Sequence, residues 1–482
     1  MVEKEKITLL QLNDSHAYFE PHPEYYWEDG EEIYREAGGY ARISAYLKKV
    51  RKENPEGVIA LDNGDTIHGT FPAVKNQGKD MIPILNEMDF DAWTAHWEFA
   101  YGPDNLMEIT EKLDYPMLAI NCYYEESDDL VYEPYKVIEK KGVKFGIIGI
   151  AATIVDKTMP DFFSEGIYFT LGNEELPGYI EELKEEKEVD IIVVLSHLGY
   201  PQELKLAREI DGIDILLSGH THNRIYEPVK VNDTVVIQSG CHGSFVGRLD
   251  LGIKNREVKE TEHELVWMDD SIERDSKVEE IVNETLSSYR DMLDKVVGKT
   301  ETALTRNRVM ESTMDNLLLK SMLNETDAEM AFSNGWRYGA PIPPGPIKIN
   351  DLWKIVPVDP PVSVCDITGK ELKEMLEEDM EGTFASDPYD QKGGYLKRCK
   401  GIYVYFKVEN PSGHRIQEFY IGDEKVKKDK TYRAAFITSQ GIPEKYGTDR
   451  KDLDIRAIEA MKNYIRENSP LSVELEGNMV PI

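Results

Sequence analysis

Short apolar runs recur through the first half of the chain, at residues 7–11, 58–61, 145–150, 191–195, 213–217 and 235–238. Most of them run into a Gly, Asn, Asp or His within a residue or two. Runs of this length bounded by turn residues predict buried strands. Between them, residues 40–52, 177–188 and 202–210 carry apolar positions at helical spacing. Strands alternating with helices predict an α/β layered domain.

The pattern changes after residue 272. Residues 276–297 form a long amphipathic stretch that reads as one helix. From residue 298 the chain has its own series: a helix at 313–324, a strand at 329–332, a Pro-rich loop at 341–346, a helix at 369–380, and strands near 401–408 and 431–437. The division expected is a first domain at 1–272, a linker helix at 273–297 and a second domain at 298–482. A chain of 482 residues exceeds what one hydrophobic core serves. No internal repeat and no low-complexity tract is present.

Charge narrows the partners. The formal net charge is −34. Residues 1–272 hold 26 basic and 53 acidic side chains, and residues 273–482 hold 30 and 37. Such a field opposes nucleic-acid polymers and anionic membrane surfaces. The longest apolar stretch, residues 145–155, is too short to span a bilayer. Residues 1–7 lack the apolar core of a secretory signal, and the four Cys are scattered without metal or redox spacing. A cytoplasmic location with reduced thiols is expected, or an extracytoplasmic one if the native N-terminus extends further. Monomer or dimer is the expected assembly.

The chemistry-bearing residues gather at the ends of expected strands. Asn13-Asp14-Ser15-His16 follows the first, Asp62-Asn63-Gly64-Asp65 the second, and Ala95-His96-Trp97-Glu98 a third. Ser196-His197 and Gly219-His220-Thr221-His222 follow two more. Ligands in open α/β sheets collect outside the carboxyl ends of strands. Asp14, His16, Asp65, His96, His197, His220 and His222 are therefore candidate metal ligands. The set is imidazole and carboxylate with no thiolate, which suits Mn²⁺, Zn²⁺, Fe²⁺ or Co²⁺, with Mn²⁺ the leading expectation. Seven ligands are too many for one ion and fit two divalent ions bridged by one carboxylate.

These motifs, in this order, resemble the calcineurin-like metallophosphoesterases and, within them, the 5′-nucleotidase family. The stretch from Asp327 to Arg337, with Ser333-Asn334-Gly335-Trp336-Arg337 at its end, resembles that family's C-terminal substrate domain. The resemblance implies a four-layer α/β/β/α metal domain followed by an α/β substrate domain. It implies one ion on Asp14, His16 and His222, the other on His96, His197 and His220, and Asp65 between them. It also implies attack by a bridging hydroxide on a terminal phosphate or sulfate, with Arg337 gripping the anion. Asn334, Gly335 and Tyr395 are the accompanying substrate-binding candidates.

The chain departs from the nucleotidase pattern in two places. The usual Gly-Asn-His-Glu-x-Asp block supplies a ligand Asn and a catalytic His–Asp dyad. Here those positions read His96, Trp97 and Ala100, so the ligand is kept in kind and the dyad is gone. The His96-Trp97-Glu98-Phe99 block, residues 35–40 and residues 387–394 resemble instead the thiosulfohydrolase of the Sox sulfur-oxidation system. That resemblance implies a sulfur-carrier protein as partner. Trp97 reads either as a wall packed against the metal pocket or as a platform shaping the pocket for a sulfur or apolar group. A sulfur leaving group of low pKa departs with less acid help than an alkoxide. His242, in Gly240-Cys241-His242-Gly243, is the candidate substitute acid. The second departure is late in the chain, where 438–443 reads Thr-Ser-Gln-Gly-Ile-Pro in place of a Gly-rich motif ending in a base-stacking aromatic. His22, His68, His263 and His414 match no motif.

Overall fold

The computed structural model describes residues 5–482. Contacts divide it into two units. The first holds the chain up to Glu24 and Arg35–Ser288, and the second holds Tyr25–Tyr34 and Tyr289–Ile482.

The first unit is built on two mixed sheets. One has the order Glu257–Trp267, Phe245–Lys254, Glu5–Leu12, Val58–Asp62, Ala92–Trp93. The other has the order Val229–Val231, Thr234–Ile237, Ile215–Leu217, Ile191–Ser196, Val143–Ile150, Tyr135–Lys140. Alternation along the strands decides how they stack. Ile7, Leu9, Ile59 and Leu61 of the first sheet share one core with Phe145, Ile147, Ile191, Val193, Leu195, Ile215 and Leu217 of the second. The in-between residues Ile148, Ile150, Ile192, Val194 and Leu216 turn the other way, onto Leu176, Ile180, Leu183 and Leu206 of the helices Leu176–Glu185 and Tyr200–Glu209. On the far side of the first sheet lie the helix Tyr40–Glu53 and its neighbours Ile82–Met88 and Ser276–Ser287. The layers are helix, sheet, sheet, helix. Strands buried on both faces read as unbroken apolar runs, which is why residues 191–195 carried so clear a signal.

The second unit centres on a five-stranded sheet ordered Arg398–Lys400, Met330–Ser333, Thr431–Phe436, Pro361–Thr368, Thr448–Arg456. A four-stranded sheet of Glu424–Lys425, Ile416–Ile421, Ile402–Phe406 and Met479–Pro481 shares its core. The helix Gly369–Phe384 starts from a reciprocal cap. Thr368 Oγ1 accepts from Glu371 N (3.2 Å), and Glu371 Oε2 accepts from Thr368 N (2.8 Å).

One expected element does not form as read. Residues 276–297 are not a single helix. The helix ends at Ser287, a short turn of helix covers Arg290–Leu293, and Val296–Thr300 is a strand. That strand pairs antiparallel with Gly345–Lys348, so the Pro-rich loop also ends in a strand. A Cβ at Gly298 would lie 2.3 Å from Ile465 Cγ2, so the strand runs too close to the helix Ala457–Asn468 for any side chain there. The long antiparallel pair Phe245–Lys254 and Glu257–Trp267 had no clear sequence signal, because its outer strand exposes a row of charged residues.

Candidate metal centre

The parallel strands of both sheets point their carboxyl ends the same way, and the turns that follow are laced together. Asp14 N donates to Gly64 O (2.9 Å), His16 N to Asp65 O (2.7 Å) and His242 N to Asp14 O (2.7 Å). Buried amide side chains stitch the sheets. Gln11 Nε2 donates to Asn63 Oδ1 and Ser218 O (both 2.8 Å), and Asn63 Nδ2 to Ser196 O (2.9 Å) and Leu217 O (2.7 Å). Within this frame Asp14, His16, Asp65, His220, His222 and His242 all hold positive φ, between 49° and 68°. That region disfavours residues with a Cβ, and such strain collects at functional sites. Gly64 (φ 88°) is obligatory, since a Cβ would meet Thr94 O at 2.5 Å.

The seven candidate ligands come together as two groups that share Asp65. Asp65, His96, His197 and His220 form one, and Asp14, His16, Asp65 and His222 the other, with ligand atoms in each group within 4.8 Å of one another. His96 Nδ1 and His197 Nε2 lie 3.2 and 3.3 Å from Asp65 Oδ2. His222 Nε2 lies 3.2 Å from both Asp14 Oδ1 and His16 Nε2.

The tautomers test whether cations fit. His197 Nδ1 faces the Asn63 carbonyl at 2.6 Å, and His16 Nδ1 faces the His68 carbonyl at 3.2 Å. A carbonyl only accepts, so both Nδ1 atoms carry protons and both Nε2 atoms face inward, the orientation of metal-bound histidines. The buried Nε2 atoms of His96 and His197 make no hydrogen bond. The local field agrees. Burial opposes a charge on His197, yet Asp65 and Asp14 outweigh it and push its pKa up to about 10. Burial would raise Asp65, but His96 and His197 hold it well below the usual carboxylate range. Burial lowers His16 to about 3. The pocket has the donors, burial and negative charge to suit a pair of divalent ions.

The surrounding residues brace the ligands. Glu98 accepts from the backbone N–H groups of Thr66 (2.6 Å), His96 (2.7 Å) and Asp65 (3.2 Å). Trp97 N donates to Asp65 Oδ1 (2.8 Å), while its ring stacks on His68 with centroids 4.7 Å apart and packs edge-on to Phe163. His68 matches no sequence motif, yet its carbonyl faces His16 and its ring stacks on Trp97. His242 is buried, with Nδ1 3.2 Å from Glu24 Oε2 and its ring 6.2 and 6.0 Å from those of His16 and His222. Glu24, Glu98 and Glu203 are site-side carboxylates that sequence reasoning missed. Only Glu98 had a signal, its place in the His96 block.

The second unit brings its own candidates together. Asn334 Oδ1 accepts from Gly335 N (2.9 Å), and Gly335 O accepts from Tyr395 N (2.7 Å). Arg337 Nη2 donates to Gly394 O (3.0 Å), and its guanidinium carbon lies 5.3 Å from the centre of the Tyr395 ring. The segment that lacks the late aromatic contributes Gln440 instead, whose Oε1 accepts from Asn334 Nδ2 (3.2 Å) and Trp336 Nε1 (3.3 Å).

Comparison with known proteins matches residues 7–224 to calcineurin-like phosphoesterase and residues 296–438 to the 5′-nucleotidase C-terminal domain. The trifunctional nucleotide phosphoesterase protein YfkN of Bacillus subtilis is 25% identical over 89% of this chain, which spans 31% of that protein. The 5′-nucleotidase of Vibrio vulnificus is 22% identical, over 97% of this chain and 91% of the relative. Two solved structures from Thermus thermophilus share the fold. The sulfate thiohydrolase SoxB has a TM-score of 0.90 at 22% identity, covering 99% of this chain and 96% of its own. A 5′-nucleotidase precursor has a TM-score of 0.86 at 23% identity, covering 99% of both chains.

Proposed function

From a chain that joins a calcineurin-like phosphoesterase domain to a 5′-nucleotidase C-terminal domain, and so belongs to that hydrolase superfamily, we propose a dinuclear-metal hydrolase acting on a terminal phosphate or sulfate group. The observation that carries this reading is the pair of ligand groups sharing Asp65. These residues would hold two divalent ions, Mn²⁺ foremost, which would supply the Lewis acidity to activate water near neutral pH and offset developing negative charge. The chain's own residues do the rest. Asn63 and His68 carbonyls fix the ring planes of His197 and His16, and Glu98 holds the Asp65 and His96 backbones. His242 takes the part of proton donor. Arg337 binds the substrate anion through its guanidinium fork, with Asn334, Gly335 and Tyr395 shaping its surroundings.

A specific observation favours a sulfur substrate as the second reading. Trp97 and Ala100 stand where the nucleotidase pattern has its dyad, and an indole, here stacked on His68, is no Brønsted acid near neutral pH. This supports cleavage of sulfate from a cysteine-bound sulfur adduct on a carrier protein. The test is turnover by Mn²⁺-loaded protein of AMP, an aryl phosphate and a cysteine-S-thiosulfonate peptide. Metal-dependent turnover of any one supports the hydrolase reading, and turnover of none sinks it. Strong AMP hydrolysis removes the sulfur reading.

A further inference from the structure

Beside the metal ligands lies a second buried cluster, His22, Glu24 and His242, whose ligand-type atoms also fall within 4.8 Å of one another. Its centre is Glu24, 1% exposed, and the carboxylate is engaged on both oxygens. Oε1 is 2.9 Å from Arg224 Nη2. Oε2 accepts from Ser244 Oγ (2.9 Å) and lies 3.2 Å from His242 Nδ1. Ser244 Oγ is also 3.2 Å from His22 Nε2, and the Tyr18 ring lies 4.8 Å from that of His242. A guanidinium on one oxygen already balances the carboxylate, so a third cation gains little there. The arrangement is that of an imidazole held by a carboxylate, with a cation behind it.

Resting on the hydrolase reading above, we propose that Glu24 is the positioning residue for His242, and that the Glu24–His242 pair replaces the absent dyad. The missing dyad would sit beside His96, and the Trp97 ring lies 5.8 Å from the His96 ring. His242 instead flanks the other ligand group, beside His16 and His222. Glu24 keeps the Nδ1 proton in place and sets the ring plane. With Nδ1–H held on Glu24, the ring donates only as the imidazolium, taking a proton at Nε2 from solvent and passing it from Nε2 to the leaving atom. Arg224 and Ser244 keep the carboxylate from turning away. The backbone reinforces this, since His242 is held at φ 59° by its bond to the Asp14 carbonyl.

The test combines tautomer, metal content and kinetics in Glu24→Ala, Glu24→Gln and His242→Gln. Nitrogen-15 NMR of histidine-labelled, Zn²⁺-loaded protein, with His242 assigned by its own variant, should show the Nδ1–H form in the wild type. That form should be lost in Glu24→Ala. On the substrate of the panel that turns over fastest, Glu24→Ala and His242→Gln should each lower kcat about 100-fold. KM should stay within about twofold, two metals should remain bound, and the double variant should be no slower than His242→Gln. Glu24→Gln keeps an oxygen acceptor and should recover part of the loss. It is also the deciding variant if Glu24→Ala folds poorly. An Nε2–H tautomer in the wild type overturns the proposal, as does full kcat in Glu24→Ala. So does a third metal equivalent that Glu24→Ala abolishes. If nothing in the panel turns over, the hydrolase reading falls by itself, and the tautomer still decides what Glu24 does.

Discussion

At the scale of single residues, the candidate metal ligands that the structure gathers into two groups were legible because each sits at a strand end in a short polar motif. The residues that brace them were not. Glu24, Glu203 and His68 come from stretches whose local pattern is ordinary, and only burial beside the site gives them a role. Glu203 makes that burial measurable. It accepts from Leu198 N (3.1 Å) and from Ser218 Oγ, and burial pushes its pKa up to about 7. An acid raised in the folded state stabilises most below its unfolded value of 4.5, and the contribution is lost as pH rises through 7. In chelator-treated protein, Glu203→Gln should therefore gain stability relative to wild type between pH 4.5 and 7, by roughly 3 kcal/mol, and hold that difference above pH 7. Denaturant midpoints across that range check it; a difference that does not grow with pH contradicts the assignment.

At the scale of elements, the fully buried strands and the capped helix Gly369–Phe384 were read close to their observed bounds. Failures fell where tertiary contact overrides local pattern. Residues 296–300 form a strand because a partner at Gly345–Lys348 is present, and nothing in the amphipathic stretch before them announces it. Close approach of elements also sets what two glycines tolerate. A Cβ at Gly149, in the strand Val143–Ile150, would lie 2.1 Å from the Leu118 carbonyl oxygen, which is backbone and cannot yield. Gly178, in the helix Leu176–Glu185, has nothing within 4 Å and no positive φ. Gly149→Ala should cost about 2–4 kcal/mol in urea unfolding. Gly178→Ala should gain up to about 1 kcal/mol from helix propensity. Equal effects of the two substitutions would show that the Leu118 contact is not what fixes Gly149.

At the scale of the whole molecule, an acidic chain must admit an anion. The net charge of −34 repels phosphate or sulfate at long range, and the two dications proposed for the metal centre would attract it only nearby. Screening weakens the long-range part first. For a dianionic substrate, kcat/KM should rise severalfold between about 10 and 150 mM NaCl, as the Debye length shrinks from about 30 to about 8 Å, while kcat stays flat. A fall over the same range would mean that the positive site dominates capture even at a distance. An α/β layered domain followed from the alternation of strands and helices, whereas the stacking of two sheets was implied only by the family resemblance. The grouping of Tyr25–Tyr34 with the second unit did not, because it depends on contacts far apart in sequence.

The central claim is a pair of metal ions sharing Asp65 in one hydrolytic centre. Its most direct test is titration of chelator-treated protein with Mn²⁺, following bound metal and hydrolysis of the turned-over substrate together. Wild type should bind two equivalents, with activity appearing only as the second fills. Asp65→Asn should bind at most one and lose at least about 100-fold in kcat. Full activity at a single equivalent, or two ions retained by an active Asp65→Asn protein, would contradict it.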